Sequence, residues 1–178
     1  MVWLGLLLLC LAQIPASTPL PSVPEAPGVY FLQNNKEWIN LQPAVIQNAN
    51  AKGIGLFVET EGYTNQGMDV ICRGSRASVR FSLQKPTLYI RGIAQAKDAE
   101  LVRLTQKKDS REFKTSFSNV TVQNKGGFRK QDLYNLEATN LPDGSLSIVP
   151  EKDLPPGEYL LAFGSAATAY DFGIDKTK

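Results

Sequence analysis

"DLPPGEYLLAFG", residues 153–164, packs two prolines, a glycine, an acid and a tyrosine directly before an apolar run. Pro155–Pro156–Gly157 stops an extended path and turns the chain, because proline fixes φ and glycine tolerates conformations other residues avoid. Tyr159 then stands at the second position of the next strand. A tyrosine so placed is the signature of a tyrosine corner, in which the phenol reaches back to backbone a few residues upstream. The expected acceptor lies around Lys152–Leu154, and Leu154 is expected to plug the end of the core. Both faces of "YLLAF" are apolar, as in a central strand covered on both sides.

Working outward, short apolar or alternating runs recur between Gly, Asn, Asp and Pro. "GVYFLQ" and "EWINL" flank "NNK", which predicts a hairpin turning at Asn34 and Asn35. "GIGLFVETEG", "MDVICRG" and "TLYIRG" are further strand candidates. "SVRFSL" puts Val79, Phe81 and Leu83 on one face. "ELVRLTQKKDSREFKTSF" reads as one long hairpin turning at Asp109–Ser110, with a β-bulge near Ser118–Asn119 to absorb a phase shift. "LYNLEATNL" and "SLSIVP" are joined by the turn signal "PDG". The prediction is nine to eleven strands, at most one helical turn around Ala96–Ala99, and an all-β fold: an antiparallel, immunoglobulin-like β-sandwich whose tyrosine-corner-like turn precedes the penultimate strand.

The N-terminus reads differently. "MVWLGLLLLCLAQIPAS", residues 1–17, has an apolar run too short to span a bilayer and small residues at its end, the pattern of a signal peptide. It lacks Lys and Arg, and the alternatives are an uncleaved anchor or a buried strand. Leu9 before Cys10 argues against lipidation. Residues 18–27 form a Pro-rich spacer. Residues 28–175 are then one domain, exported to the periplasm or beyond, with no membrane span after cleavage. Roughly 160 residues suffice for a packed core without staples. Cys72 is the only cysteine left, so no internal disulfide forms, and its apolar neighbours suggest a buried small side chain.

Composition excludes much chemistry. The chain has no histidine, and 19 Lys and Arg stand against 17 Asp and Glu. No Ser–His–Asp or Cys–His arrangement is available, and no zinc site is expected. The near-balanced charge argues against nucleic acid as a partner. "DFG" at Asp171–Gly173 lacks every companion of the kinase triplet, so Phe172 is expected in the core. Glu59 and Glu61 share a strand face; exposed acids on a strand edge are the plainer meaning. No cofactor is implied. Asn119–Val120–Thr121 matches the glycosylation sequon.

Two basic groups are the candidate binding residues: Arg73, Arg76 and Arg80 around a Gly-Ser turn, and Lys125, Arg129 and Lys130 in the "GGF" loop. If they converge, they would bind an anionic glycan, phosphate or a protein partner. The plain alternative is solvated charge, with some arginines paired to acids. Trp38, with Tyr30 or Tyr63, is a candidate for stacking on sugar rings.

"KPTLYIR", "ELVRLTQKKDSRE", "VPEKDLPPGEYLLAFG" and "AYDFGID", in this order, together with "PGVYFLQNNKEWINLQP", resemble a family of secreted bacterial proteins of uncharacterised function, over residues 27–175. The resemblance implies a bacterial, exported, all-β domain, and it implies no activity and no functional residue. Members often carry a histidine in the region of "RGSRASVRF", where this chain has none. The expectation is a non-enzymatic module that binds or supports an envelope protein or glycan. The alternatives are a carbohydrate-binding or sugar-active accessory protein, and a cryptic carboxylate-based hydrolase.

Overall fold

The computed structural model describes residues 21–48, 69–93, 98–117, 126–163 and 168–176. Residues 1–20, "GIGLFVETEG" with Glu59 and Glu61, Tyr63, Ala96, the proposed bulge, the sequon and Lys125 lie outside the described residues. Within them the chain is almost entirely β, in fourteen strands. These are β1 (Gly28–Gln33), β2 (Glu37–Leu41), β3 (Ile46–Asn48), β4 (Asp69–Arg73), β5 (Arg80–Phe81), β6 (Leu88–Arg91), β7 (Ala99–Gln106) and β8 (Ser110–Phe117), then β9 (Gly126–Phe128), β10 (Leu133–Tyr134), β11 (Leu136–Asn140), β12 (Leu146–Pro150), β13 (Gly157–Phe163) and β14 (Thr168–Ile174). The count exceeds nine to eleven because several strands are two or three residues long, below what alternation reveals. No helix among the described residues is long and apolar enough to cross a membrane.

One sheet runs β11-β12-β6-β1-β2, and the other runs β3-β4-β8-β7-β13-β14-β5. They face each other as a sandwich. Val29, Leu41, Leu88, Ile90 and Ile148 from the first sheet meet Leu101, Tyr159, Leu161 and Phe172 from the second, all buried. Asn34 and Asn35 turn the first hairpin with φ of 50° and 57°, a conformation their short polar side chains tolerate.

The second sheet curls. β7 and β8 pair only at Thr105↔Glu112 and Gln106↔Arg111, with the turn closed by Lys107 N–H on the Ser110 carbonyl at 2.8 Å. The long hairpin expected from the alternation is therefore short. β8 leaves β7 to pair with β4, and β10 takes its place along β7. The curl returns to β14 where Ala44 N–H donates to the Ala169 carbonyl at 2.7 Å and Pro43 bridges Tyr170. It encloses a second core of Cys72, Val102, Leu104, Phe113, Leu160 and Ala162. Both faces of β13 are thus covered, as its double-sided apolar sequence requires.

Two other expectations change. "SVRFSL" forms a strand only at Arg80–Phe81, and Leu83 is exposed, because the chain turns away after Phe81. "LYNLEATNL" is split at Asn135: β10 pairs with β7 in one sheet, β11 with β12 in the other. "PDG" turns as expected, with Gly144 at φ 79°.

The corner exists. Tyr159 Oη donates to the Pro155 carbonyl at 2.5 Å, inside the turn rather than at Lys152–Leu154 as expected. Leu154 is fully buried and tied by its N–H to the Gln84 carbonyl at 2.7 Å. The sequence repeats the device: Pro27-Gly28-Val29-Tyr30 matches Pro156-Gly157-Glu158-Tyr159, and Tyr30 Oη donates to the Ala26 carbonyl at 2.8 Å. Each sheet therefore receives one strand pinned four residues back, and the sequence reading found only one of the two. Residues 21–27 have no regular structure, yet Val23 is buried and its carbonyl accepts from Arg91 Nη2 at 3.3 Å. Tyr159→Phe and Tyr30→Phe should each lose about 0.5–1.5 kcal/mol, and their costs should add, since the two corners sit in different sheets. Urea unfolding measures both; midpoints equal to wild type would show that the phenols pin nothing.

Candidate functional site

The polar residues of interest lie at one end of the second core. Strand alternation puts Glu158 on the face of Leu160 and Ala162, Asp171 on that of Ala169, and Arg111 on that of Phe113. Three charges thus enter a covered face from three strands. Arg111 is 4% and Glu158 2% exposed, burial that is tolerable only with full pairing.

The pairing is extensive. Arg111 Nε donates to the Gly74 carbonyl at 2.9 Å and Nη2 to the Arg73 carbonyl at 2.8 Å. Its Nη1 pairs with Asp171 Oδ2 and stands 3.8 Å from Glu158 Oε2. Glu158 Oε2 accepts from Ala77 N–H at 2.7 Å, and Oε1 from Arg80 Nη1 at 2.6 Å. Arg80 Nε continues to Asp175 Oδ1 at 2.8 Å, which Arg76 Nη2 also reaches at 3.0 Å. Burial alone would lower the Arg80 pKa; its bonds to Glu158 and Asp175 outweigh that and raise it.

Room for Arg80 comes from Gly173. A Cβ there would lie 2.5 Å from Arg80 Cζ and 2.8 Å from Nη2, so the guanidinium occupies the space a side chain would fill. Gly173→Ala should push Arg80 off Glu158 and cost about 1–3 kcal/mol. In an Arg80→Ala background the same change should be nearly neutral. Equal costs in both backgrounds, read by thermal unfolding, would refute the wedge.

Above this network lies an open groove. One hollow of about 650 Å³ is lined by Arg76, Arg80, Gln106, Gly157, Asp175 and Lys176 among others. A second, of about 320 Å³, includes Arg103, Thr105 and Asp132, and the two share Gln106, Pro156, Gly157 and Glu158. Pro156 and Gly157 of the turn thus border both hollows. Arg103 lies over the turn: Nη2 donates to the Pro156 carbonyl at 3.2 Å, and a Cβ on Gly157 would stand 3.3 Å from Arg103 Nε.

The sequence-predicted residues divide. Arg76 and Arg80 converge, through Asp175. Arg73 contributes its carbonyl to Arg111 and does not line the groove. Arg129 is held by Asp132 at 2.5 Å, and Lys130 is exposed. No acid pairs with both basic groups among the described residues. Trp38 is not the exposed platform expected. It is half-buried, packs edge-on against Tyr30 and Tyr89 with centroids 6.4 and 5.0 Å away, and encloses its indole N–H without an acceptor. Tyr30 is itself buried. Cys72 is fully buried, and burial pushes its thiol up to about 11 against the pull of Arg111, which makes a reactive thiolate unavailable near neutrality. Asp171 of "DFG" serves Arg111, and Phe172 is in the core. No group of three or more His, Cys, Asp or Glu among the described residues is arranged to hold a metal ion.

Arg103, Arg111, Glu158, Asp171, Asp175 and Lys176 were missed. The signal for three of them was parity: Arg111 is in phase with Phe113, Glu158 with Leu160 and Ala162, and Asp171 with Ala169. No family model, no curated protein and no solved structure matches this chain.

Proposed function

We propose that this chain is a non-enzymatic, exported binding module of the bacterial cell envelope, and that the groove at the 155–157 turn is its ligand-facing surface. One observation carries the reading. The charged groups at the groove floor are already engaged: both oxygens of Glu158 are bonded, and Asp175 holds two arginines. Such a floor positions side chains, and each of its acids is held by an arginine: Glu158 by Arg80, Asp175 by Arg76 and Arg80, and Asp132 by Arg129. The open rim, by contrast, presents exposed cations.

Further support comes from the sequence. A chain without histidine is deprived of the commonest general base, and residues 1–17 read as a signal peptide ahead of a Pro-rich spacer. The same proposal places the immunoglobulin-like character of the sandwich in the Tyr159 corner.

The test is retention of envelope material on the immobilised chain. Wild type should retain a component that an Arg76→Ala/Arg103→Ala variant releases; both side chains are exposed and should not be needed for folding. Equal retention by both proteins, or hydrolytic turnover by the purified chain, would refute the proposal.

A further inference from the structure

We infer that the groove takes an acidic glycan, a sugar chain bearing carboxylates. The inference rests on reading the groove as the ligand face, and names the chemistry that face selects. Four cationic side chains, Arg76, Arg80, Arg103 and Lys176, line the two hollows against Glu158, Asp175 and Asp132, and Asp132 is already neutralised by Arg129. The remaining excess equals the formal +2 of the whole chain. The two hollows thus carry a local excess of positive charge.

The donors there are not spent. A guanidinium carries five N–H groups in a planar fork. Among the described residues Arg103 uses one nitrogen, on the Pro156 carbonyl, and Arg76 one, on Asp175. Each keeps donors for a bidentate bond to a carboxylate. Arg103 and Arg76 line different hollows that share Pro156 and Gly157, so one anion seats against each, as successive acidic residues of a polymer would. Gln106, common to both hollows, is exposed and offers an amide to hydroxyls between them.

The lining also selects against an acidic peptide. Protein partners are anchored by buried aromatic or aliphatic side chains in apolar pockets. Among the described residues the lining carries no aromatic side chain, and its apolar members, Leu104, Pro156 and Ile174, belong to the framework strands and turn.

Titration calorimetry of the purified chain with an oligogalacturonate, a neutral oligosaccharide of the same length and poly-glutamate tests this. The oligouronide should bind at low salt and weaken steeply as salt rises. Arg76→Ala/Arg103→Ala should weaken it at least tenfold, and Lys176→Glu severalfold with the unfolding midpoint unchanged. The neutral sugar should not bind. Absence of oligouronide binding, binding unchanged in the variants, or tighter binding of poly-glutamate would each overturn the inference. If envelope material is still released by the double variant while the oligouronide fails, only the ligand class falls. If neither responds, the groove itself is not the ligand face.

Discussion

Leu160→Ala and Leu161→Ala should destabilise the protein to a similar extent, each by about 2–5 kcal/mol. In a sheet with one solvated face, neighbouring residues on a strand cannot both be costly, since alternation sends one to water. Here both are fully buried. Leu161 lies in the sandwich core, paired across to Tyr170 and Leu101. Leu160 lies in the second core with Cys72, Val102 and Phe113. The cost at Leu161 follows from the sandwich alone. The cost at Leu160 exists only if β4 and β8 close over the outer face of β13. Denaturant unfolding decides the matter: a large loss at Leu161 with a loss under about 0.5 kcal/mol at Leu160 would mean that the curl is not closed.

The second large effect is at Arg111. Arg111→Met should lose about 3–5 kcal/mol, because removing one partner of a buried pair strands the others. Asp171 and Glu158 would face each other on a covered surface, and the Arg73 and Gly74 carbonyls would lose their donor. The loss is not a measure of what the network contributes. Replacing the pair together, as Arg111→Met/Asp171→Leu, should recover most of it, since Glu158 keeps Arg80 and the Ala77 N–H. A single variant as stable as wild type would show that Arg111 is not held where the geometry puts it. A double variant no better than the single would show that the penalty comes from lost packing instead of stranded charge.

These two cases mark what was legible in the sequence. The all-β class followed from short runs and turn residues, and the corner followed from Pro155-Pro156-Gly157-Glu158-Tyr159. The double-sided burial of β13 was readable from "YLLAF", where no polar residue interrupts either face. The closure that covers it was not, because it depends on β8 leaving β7 after two residue pairs, and nothing in "QKKDSREFK" marks that departure. Short strands such as Arg80–Phe81 and Leu133–Tyr134 carry too few residues to show a period. The basic residues around Gly74 were visible as a cluster. Their acids were not, since Glu158 and Asp175 lie at the far end of the sequence and are brought in by the β13–β14 hairpin. The second corner at Tyr30 was legible from Pro27-Gly28-Val29-Tyr30, which repeats the first, and was missed because the preceding prolines read as a spacer.

A pinned strand, a glycine that admits a guanidinium, and acids that hold arginines in place all lie beside the groove. The most direct test is to titrate isotope-labelled protein with an envelope extract and follow its backbone amide resonances. The account predicts shifts concentrated at Arg76, Arg103, Gln106, Gly157 and Lys176. Shifts centred instead on Trp38 and Tyr89, on the outer face of the other sheet, or no shifts at any residue, would contradict it.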